Sequence, residues 1–230
     1  MYFQHSSDIW RDFPGLVPGA VLAEGITADV SADHRIAGHY AVAESRLAAG
    51  PESELPEVQA WRRTFAKMGL KPTQYRCASE SLLRRFKKEG TLPRIHPLID
   101  LCNAVSLAFA IPVAVFDLSR VTGFLEVRYA AGDEDYLTFA GETEHPDAHE
   151  VVFADAAGRA HARRWTNRQS GLSAVRESTR SVLIVAEAQH ATASDDVRAL
   201  LAALADDLKG IWGAAPETAV LSPPSPRLEW

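Results

Sequence analysis

The sequence is short of the residues that would staple or anchor a fold. Two cysteines, Cys77 and Cys102, are too few for a four-ligand zinc site or a disulfide framework; this fits a reducing cytoplasm and leaves both as core fillers. No apolar run reaches the roughly 18 residues that span a bilayer, and the N-terminus lacks a signal-like apolar region. A cytoplasmic protein with no membrane partner is expected. The common catalytic signatures are missing as well: there is no P-loop, no G-x-G-x-x-G opening a helix, no H-E-x-x-H and no G-x-S-x-G elbow. His145 and His149 are four apart, but Pro146 between them breaks the helix a metal pair would need. No metal and no cofactor is expected. No internal repeat is found.

A chain of 230 residues that is 47% hydrophobic can bury one sizeable core, with room for a helical appendage. Its charge is unevenly spread. Residues 61–95 carry ten Lys or Arg against two acids, a local +8 that leaves −14 for the rest of the −6 total. Such an asymmetry suits either a phosphate-binding face on an acidic body or a pair of solvated helices.

Helical spacing predicts helices over residues 33–49, 56–68, 78–88 and 194–212, with Val58, Trp61, Phe65 and Met68 as the buried face of the second. Residues 1–70 are expected to be a strand and helices packed on the core, 71–190 the core, 191–213 an amphipathic helix, and 214–230 a poorly ordered proline-rich tail. The second half reads as β-rich, with strands near residues 123–130, 136–139, 150–154, 160–165 and 181–186 separated by Gly, Pro and Asp turns.

Two stretches carry polar residues that need partners. In residues 90–117 a buried helix after Pro97 aligns His96, Asp100 and Asn103 at i, i+4 and i+7 as one polar stripe. In residues 163–170, read as a strand, Arg163, Trp165 and Asn167 share one face and Arg164, Thr166 and Arg168 the other. Either that face lines a cleft suited to a nucleotide end, or it is an exposed edge whose arginines pair with acids. Glu80 in the first turn of its helix suits the helix dipole or a ligand equally.

The run Ile95-His96-Pro97-Leu98-Ile99-Asp100-Leu101-Cys102-Asn103, continued by Pro112-Val113-Ala114-Val115-Phe116-Asp117, resembles the editing domain of the phenylalanyl-tRNA synthetase beta subunit. The likeness covers roughly residues 71–187. It implies an α+β fold, a β-sandwich of unusual topology flanked by helices, with a pocket between the sheets that hydrolyses tyrosine misattached to tRNA. The residues depart from that pattern where a family histidine corresponds to Ala114, pocket glycines to Arg163 and Thr166, and the tyrosine-reading glutamate to Val185. Glu187 lies two residues on, on the same strand face. The chain is more similar to freestanding proteins built on this B3/B4 editing domain, through Ser79-Glu80, Arg94-Ile95-His96-Pro97, the Asp100-x-x-Asn103 helix and the Arg163-Arg164-Trp165 run that ends in Arg168-Gln169-Ser170. One such family removes canavanine, an arginine mimic, from the arginine tRNA.

That resemblance implies a trans-editing aminoacyl-tRNA deacylase acting on canavanyl-tRNA(Arg), the alternative being a non-catalytic tRNA- or RNA-binding module on the same scaffold. His96, Asp100 and Asn103 are the candidates for positioning water or the terminal ribose. Ser79, Glu80, Glu187, Thr166 and Asn167 are those for holding the amino acid. Arg84, Arg85, Arg94, Arg163, Trp165 and Arg168 are those for holding tRNA. The oligomeric state is left open.

Overall fold

The computed structural model describes all 230 residues. In chain order the elements are β1 (Tyr2–His5), α1 (Ser7–Asp12), β2 (Val17–Glu24), α2 (Asp33–Ala49), α3 (Pro56–Lys67), α4 (Ala78–Glu89), α5 (Pro97–Phe109), β3 (Val113–Asp117) and β4 (Phe124–Tyr129). They continue with β5 (Tyr136–Leu137), β6 (Thr143–Glu144), β7 (Val151–Asp155), β8 (Ala160–Arg163), β9 (Arg168–Gln169), β10 (Ser181–Ala188), α6 (Ala193–Trp212), β11 (Glu217–Val220) and β12 (Arg227–Glu229).

Two sheets form a sandwich. One has the order β12-β1-β4-β7-β8-β9, with β1 and β4 parallel and the other pairs antiparallel; the other is the antiparallel sheet β11-β2-β10-β3. The fold is thus α+β, a sandwich flanked by helices. Between the sheets Phe3, Leu125, Val127 and Phe153 meet Leu22, Phe116, Leu183 and Val185. The second sheet is covered on its outer face by α2, α5 and α6, where Val21, Ile184 and Ala186 pack on Leu101, Val105, Val197 and Leu204. Strand β10 is buried on both faces, and its near-continuous apolar run follows from that. Gly19 of β2 lets α6 come close: a Cβ there would stand 2.6 Å from Val197 Cγ1.

Local signals set the helix starts. Pro97 occupies the first turn of α5 and His96 caps it, its Nδ1 accepting from Leu98 N at 3.2 Å. Asp195 and Asp196 sit in the first turn of α6.

Two expectations are corrected. The tail read as poorly ordered supplies β11 and β12, which occupy edge positions on both sheets. Pro216 precedes β11 and the other three prolines fall in the turn between the two strands, where they remove no ladder hydrogen bond, while Leu221 and Leu228 bury in the inter-sheet core. Residues 163–170 are not one strand. The chain turns at residues 164–167 between β8 and β9, so the expected alternation of faces does not hold.

Deleting residues 214–230 should therefore be costly, since each buried leucine contributes about 1.5–3 kcal/mol. A loss of roughly 3 kcal/mol or more in urea unfolding is expected; an unchanged midpoint would mean the two edge strands contribute nothing.

Candidate functional site

The two sheets part where β3 begins and the β8–β9 hairpin turns, leaving a cavity of about 60 Å³. At 10–15 Å³ per water this is room for about four to six waters, or a side chain of similar atom count. Its walls are Pro112 and Ala114, Val185 and Glu187 of β10, Phe153 and Ala162, the hairpin residues 165–169, and Ala78 at the start of α4.

Glu187 is the feature on which the cavity turns. Leu183, Val185 and Glu187 alternate onto the inter-sheet face of β10, whereas Ile184 and Ala186 face the helices. The carboxylate is 2% exposed. Its Oε1 accepts from Trp165 Nε1 at 2.9 Å and lies 2.7 Å from His5 Nε2, while no protein group bonds Oε2. Trp61 Nε1 of α3 donates to the Glu187 carbonyl at 3.1 Å. A carboxylate this far from water is costly unless its lone pairs are occupied, and half of them are left to whatever enters the cavity.

The hairpin is held under strain. Arg164 and Trp165 have φ of 48° and 57°, left-handed values that cost a non-glycine residue about 1–2 kcal/mol each. Glu150 offsets this: it accepts from Arg163 Nε and Nη2 at 2.9 Å each and from Arg164 N at 2.9 Å, while Trp165 N donates to Val151 O at 2.8 Å. The turn drives the indole inward onto Glu187, where it packs edge-on against Phe13 and Trp61. Thr166 O accepts from Ala78 N, and Thr166 Oγ1 is buried with no partner. Asn167 Nδ2 donates to Arg76 O at 2.7 Å.

The expected site residues divide accordingly. Glu187, Thr166, Asn167, Trp165 and Arg168 line the cavity. His96, Asp100 and Asn103 do not, because α5 covers the opposite face of the β11-β2-β10-β3 sheet. His96 caps the helix and Asp100 Oδ1 accepts from Ile95 N at 2.9 Å. Burial lowers the His96 pKa, against the pull of Asp100. Glu80 is buried and held by Arg62 at 2.6 and 3.2 Å, with Arg76 at 3.4 Å, and Ser79 is buried against Cys77 Sγ at 3.3 Å. Burial pushes the Cys77 thiol up to about 11, so it is no thiolate nucleophile at neutral pH.

The outward basic residues are less free than the charge count suggests. Arg84 and Lys87 pair with Glu52 at 3.2 and 3.4 Å, Arg85 with Glu89 at 3.0 Å, and Arg94 with Asp33 and, at 3.6 Å, Asp100. Arg63, Lys71 and Lys88 are exposed without a carboxylate partner. Arg168 is half-exposed on Glu144, at 2.8 and 3.1 Å. Arg163 and Trp165 are buried and present no surface to a nucleic acid.

Residues 60–200, more than half of the chain, match the B3/4 domain family. The chain belongs to the B3/4 domain family. Over 63 residues the chain is 41% identical to the phenylalanine–tRNA ligase beta subunit of Coxiella burnetii, covering 27% of this chain and 8% of that protein. Over 120 residues it is 22% identical to the same subunit of Haemophilus influenzae, covering 52% of this chain and 15% of that one. This B3/4 chain thus spans between 8% and 15% of the length of these curated relatives. Among solved structures, an N-terminal fragment of the phenylalanyl-tRNA synthetase beta subunit from Pyrococcus horikoshii aligns at TM-score 0.45 and 10% identity, over 93% of this chain and 49% of that one.

Sequence reasoning missed His5, Trp61 and Glu150. His5 lies 182 residues from Glu187, and no local pattern signals that pairing. The left-handed turn at Arg164 and Trp165 was equally hidden, since neither residue type favours it.

The Arg163–Glu150 pair supplies the first test of this arrangement. Breaking a buried ion pair from one side costs about 3–5 kcal/mol. Arg163→Met should lose that much stability in chemical unfolding, whereas an arginine that only touched a ligand would leave the unfolding midpoint in place.

Proposed function

We propose that this B3/4 domain is a cytoplasmic trans-editing hydrolase that removes a misattached cationic amino acid from tRNA, canavanine on the arginine tRNA being the best fit. The observation that carries this reading is the buried Glu187 carboxylate, which turns one unpartnered oxygen to an otherwise largely apolar cavity. Charge-assisted hydrogen bonds to such a carboxylate favour a guanidinium-like group over the tyrosine ring that the resemblance would otherwise imply. Arg168 is the only other charged residue on the wall, and its guanidinium is committed to Glu144.

The chemistry asked of the domain is modest. An aminoacyl ester is intrinsically labile, so holding it and a water in register does most of what is needed. The unpartnered Thr166 hydroxyl and the Asn167 amide are the polar groups beside the cavity that would orient the ester. His96 and Asp100 are assigned to fixing the start of α5, which, with Asn103, lies across the sheet from the reaction. The exposed cations Arg63, Lys71 and Lys88, together with the outward arginines Arg84, Arg85 and Arg94, would meet tRNA phosphates, giving an affinity that falls with salt.

One observation favours a second reading, a tRNA-binding module without catalysis: Ala114 lines the cavity where the family resemblance calls for a histidine. A single-turnover assay on a panel of charged tRNAs, canavanyl-tRNA(Arg) included, separates the two. The expected outcome is accelerated ester loss for the cationic member, reduced about 10- to 100-fold by Glu187→Gln, the range for losing a charged hydrogen bond. No acceleration for any member, with tRNA binding retained, would establish the non-catalytic module instead.

A further inference from the structure

The turn joining β5 and β6 carries an aromatic ring that the fold leaves bare. Phe139 is 74% exposed, the most exposed large hydrophobic side chain in the protein, although 58 other apolar residues are buried. A bare phenylalanine on a loose loop would mean little. This one is held firmly: Gly171 N and Ser170 Oγ both donate to Leu137 O, at 2.9 and 2.8 Å, while Thr138 N donates to Glu142 O at 2.8 Å and Glu142 N donates to Thr138 Oγ1 at 3.1 Å. Gly171 is what lets the turn settle there, since a Cβ on it would stand 2.9 Å from Thr138 O and 3.4 Å from Phe139 Cα. The ring is thus a rigid surface feature.

Its position relates it to the cavity. Phe139 lines a surface groove of about 390 Å³ whose inner wall is Asn167, Arg168 and Gln169, and these three residues also form the rim of the Glu187 cavity. The groove is also lined by Tyr136, over which the Arg168 guanidinium lies at 5.2 Å, so an exposed aromatic and a cation–aromatic pair share its wall. The groove and the cavity therefore adjoin across these three residues.

We infer that the groove is a binding site for a single unpaired nucleobase, which stacks on Phe139. Every nucleobase has a π-face that an exposed aromatic can hold without reading its sequence, and the polar rim of Asn167, Gln169 and Glu142 offers hydrogen-bond partners to its edge. The carboxylates Glu142 and Glu144 on the groove disfavour a phosphate there and favour an uncharged base. This inference rests on the proposed function for its geometry: with the amino acid beside Glu187, the terminal adenine of the acceptor end is the base that falls in the groove.

The test uses the full chain and an RNA hairpin ending in a single-stranded 3′-ACCA whose last base is 2-aminopurine, so that stacking is read from fluorescence without any turnover. Binding to the wild-type protein is expected to quench the terminal base. Phe139→Ala should weaken binding about 5- to 100-fold and abolish the quench, the range seen when a stacking aromatic is removed. Phe139→Trp should restore both. Since the ring is exposed, both variants are expected to unfold at the wild-type midpoint. Undiminished quenching in Phe139→Ala, or wild-type binding without a quench, overturns the inference, as does failure of the wild-type protein to bind the hairpin. The outcomes remain distinct from those of the deacylation assay: quenching without ester loss keeps the stacking site and removes the enzyme, and ester loss unaffected by Phe139→Ala does the reverse.

Discussion

The Glu187 carboxylate, buried between two sheets and only half satisfied by protein, is the constraint to which the rest of the structure is fitted. To keep it there the fold brings His5 from the first strand, Trp165 from a strained hairpin and Trp61 from α3 to the same strand end. Each arrives on a different element, so the hairpin of the sandwich and the N-terminal strand hold the Glu187 carboxylate while α3 holds its carbonyl. The remaining oxygen, Oε2, has no protein partner, and a buried carboxylate oxygen without one favours a hydrogen-bond donor beside it.

Strain and support are distributed in the same way. The left-handed backbone at Arg164 and Trp165 turns the indole inward, and the Glu150 bonds to Arg163 and to the Arg164 amide stabilise the turn. The arginines that look like nucleic-acid contacts in the sequence are, at Arg163 and Arg62, internal braces for Glu150 and Glu80. What remains for an outside partner lies further out, on the exposed faces of α3, α4 and the loop between them, and on the β5–β6 turn.

Elements were legible where the signal is local. The apolar spacing of Val58, Trp61 and Phe65, the Pro97 start of α5 and a strand near residues 181–186 all follow from neighbours in sequence, and each is found in the structure. Of the cavity lining, Glu187 was legible because alternation alone puts it on the face of Val185, and Trp165, Thr166, Asn167 and Arg168 were named without the turn that brings them there. What could not be read depends on distant partners. Polar residues on a buried helix look like a site until Asp100 is seen bonding Ile95 N and His96 capping the helix. A proline-rich tail looks unstructured until Leu221 and Leu228 find the inter-sheet core. Charge counts over residues 61–95 overlook Asp33 and Glu52, which lie outside that window and neutralise part of it.

The central claim is that the oxygen Glu187 leaves free receives the side chain of a tRNA-borne amino acid. A crystal structure with a non-hydrolysable amide of 3′-canavanyl-adenosine tests it most directly. The account predicts the guanidino-oxy group in the inter-sheet cavity, within hydrogen-bond distance of Glu187 Oε2. The compound bound instead beside His96 and Asp100 on the far side of the sheet, with the Glu187 cavity empty, would contradict it.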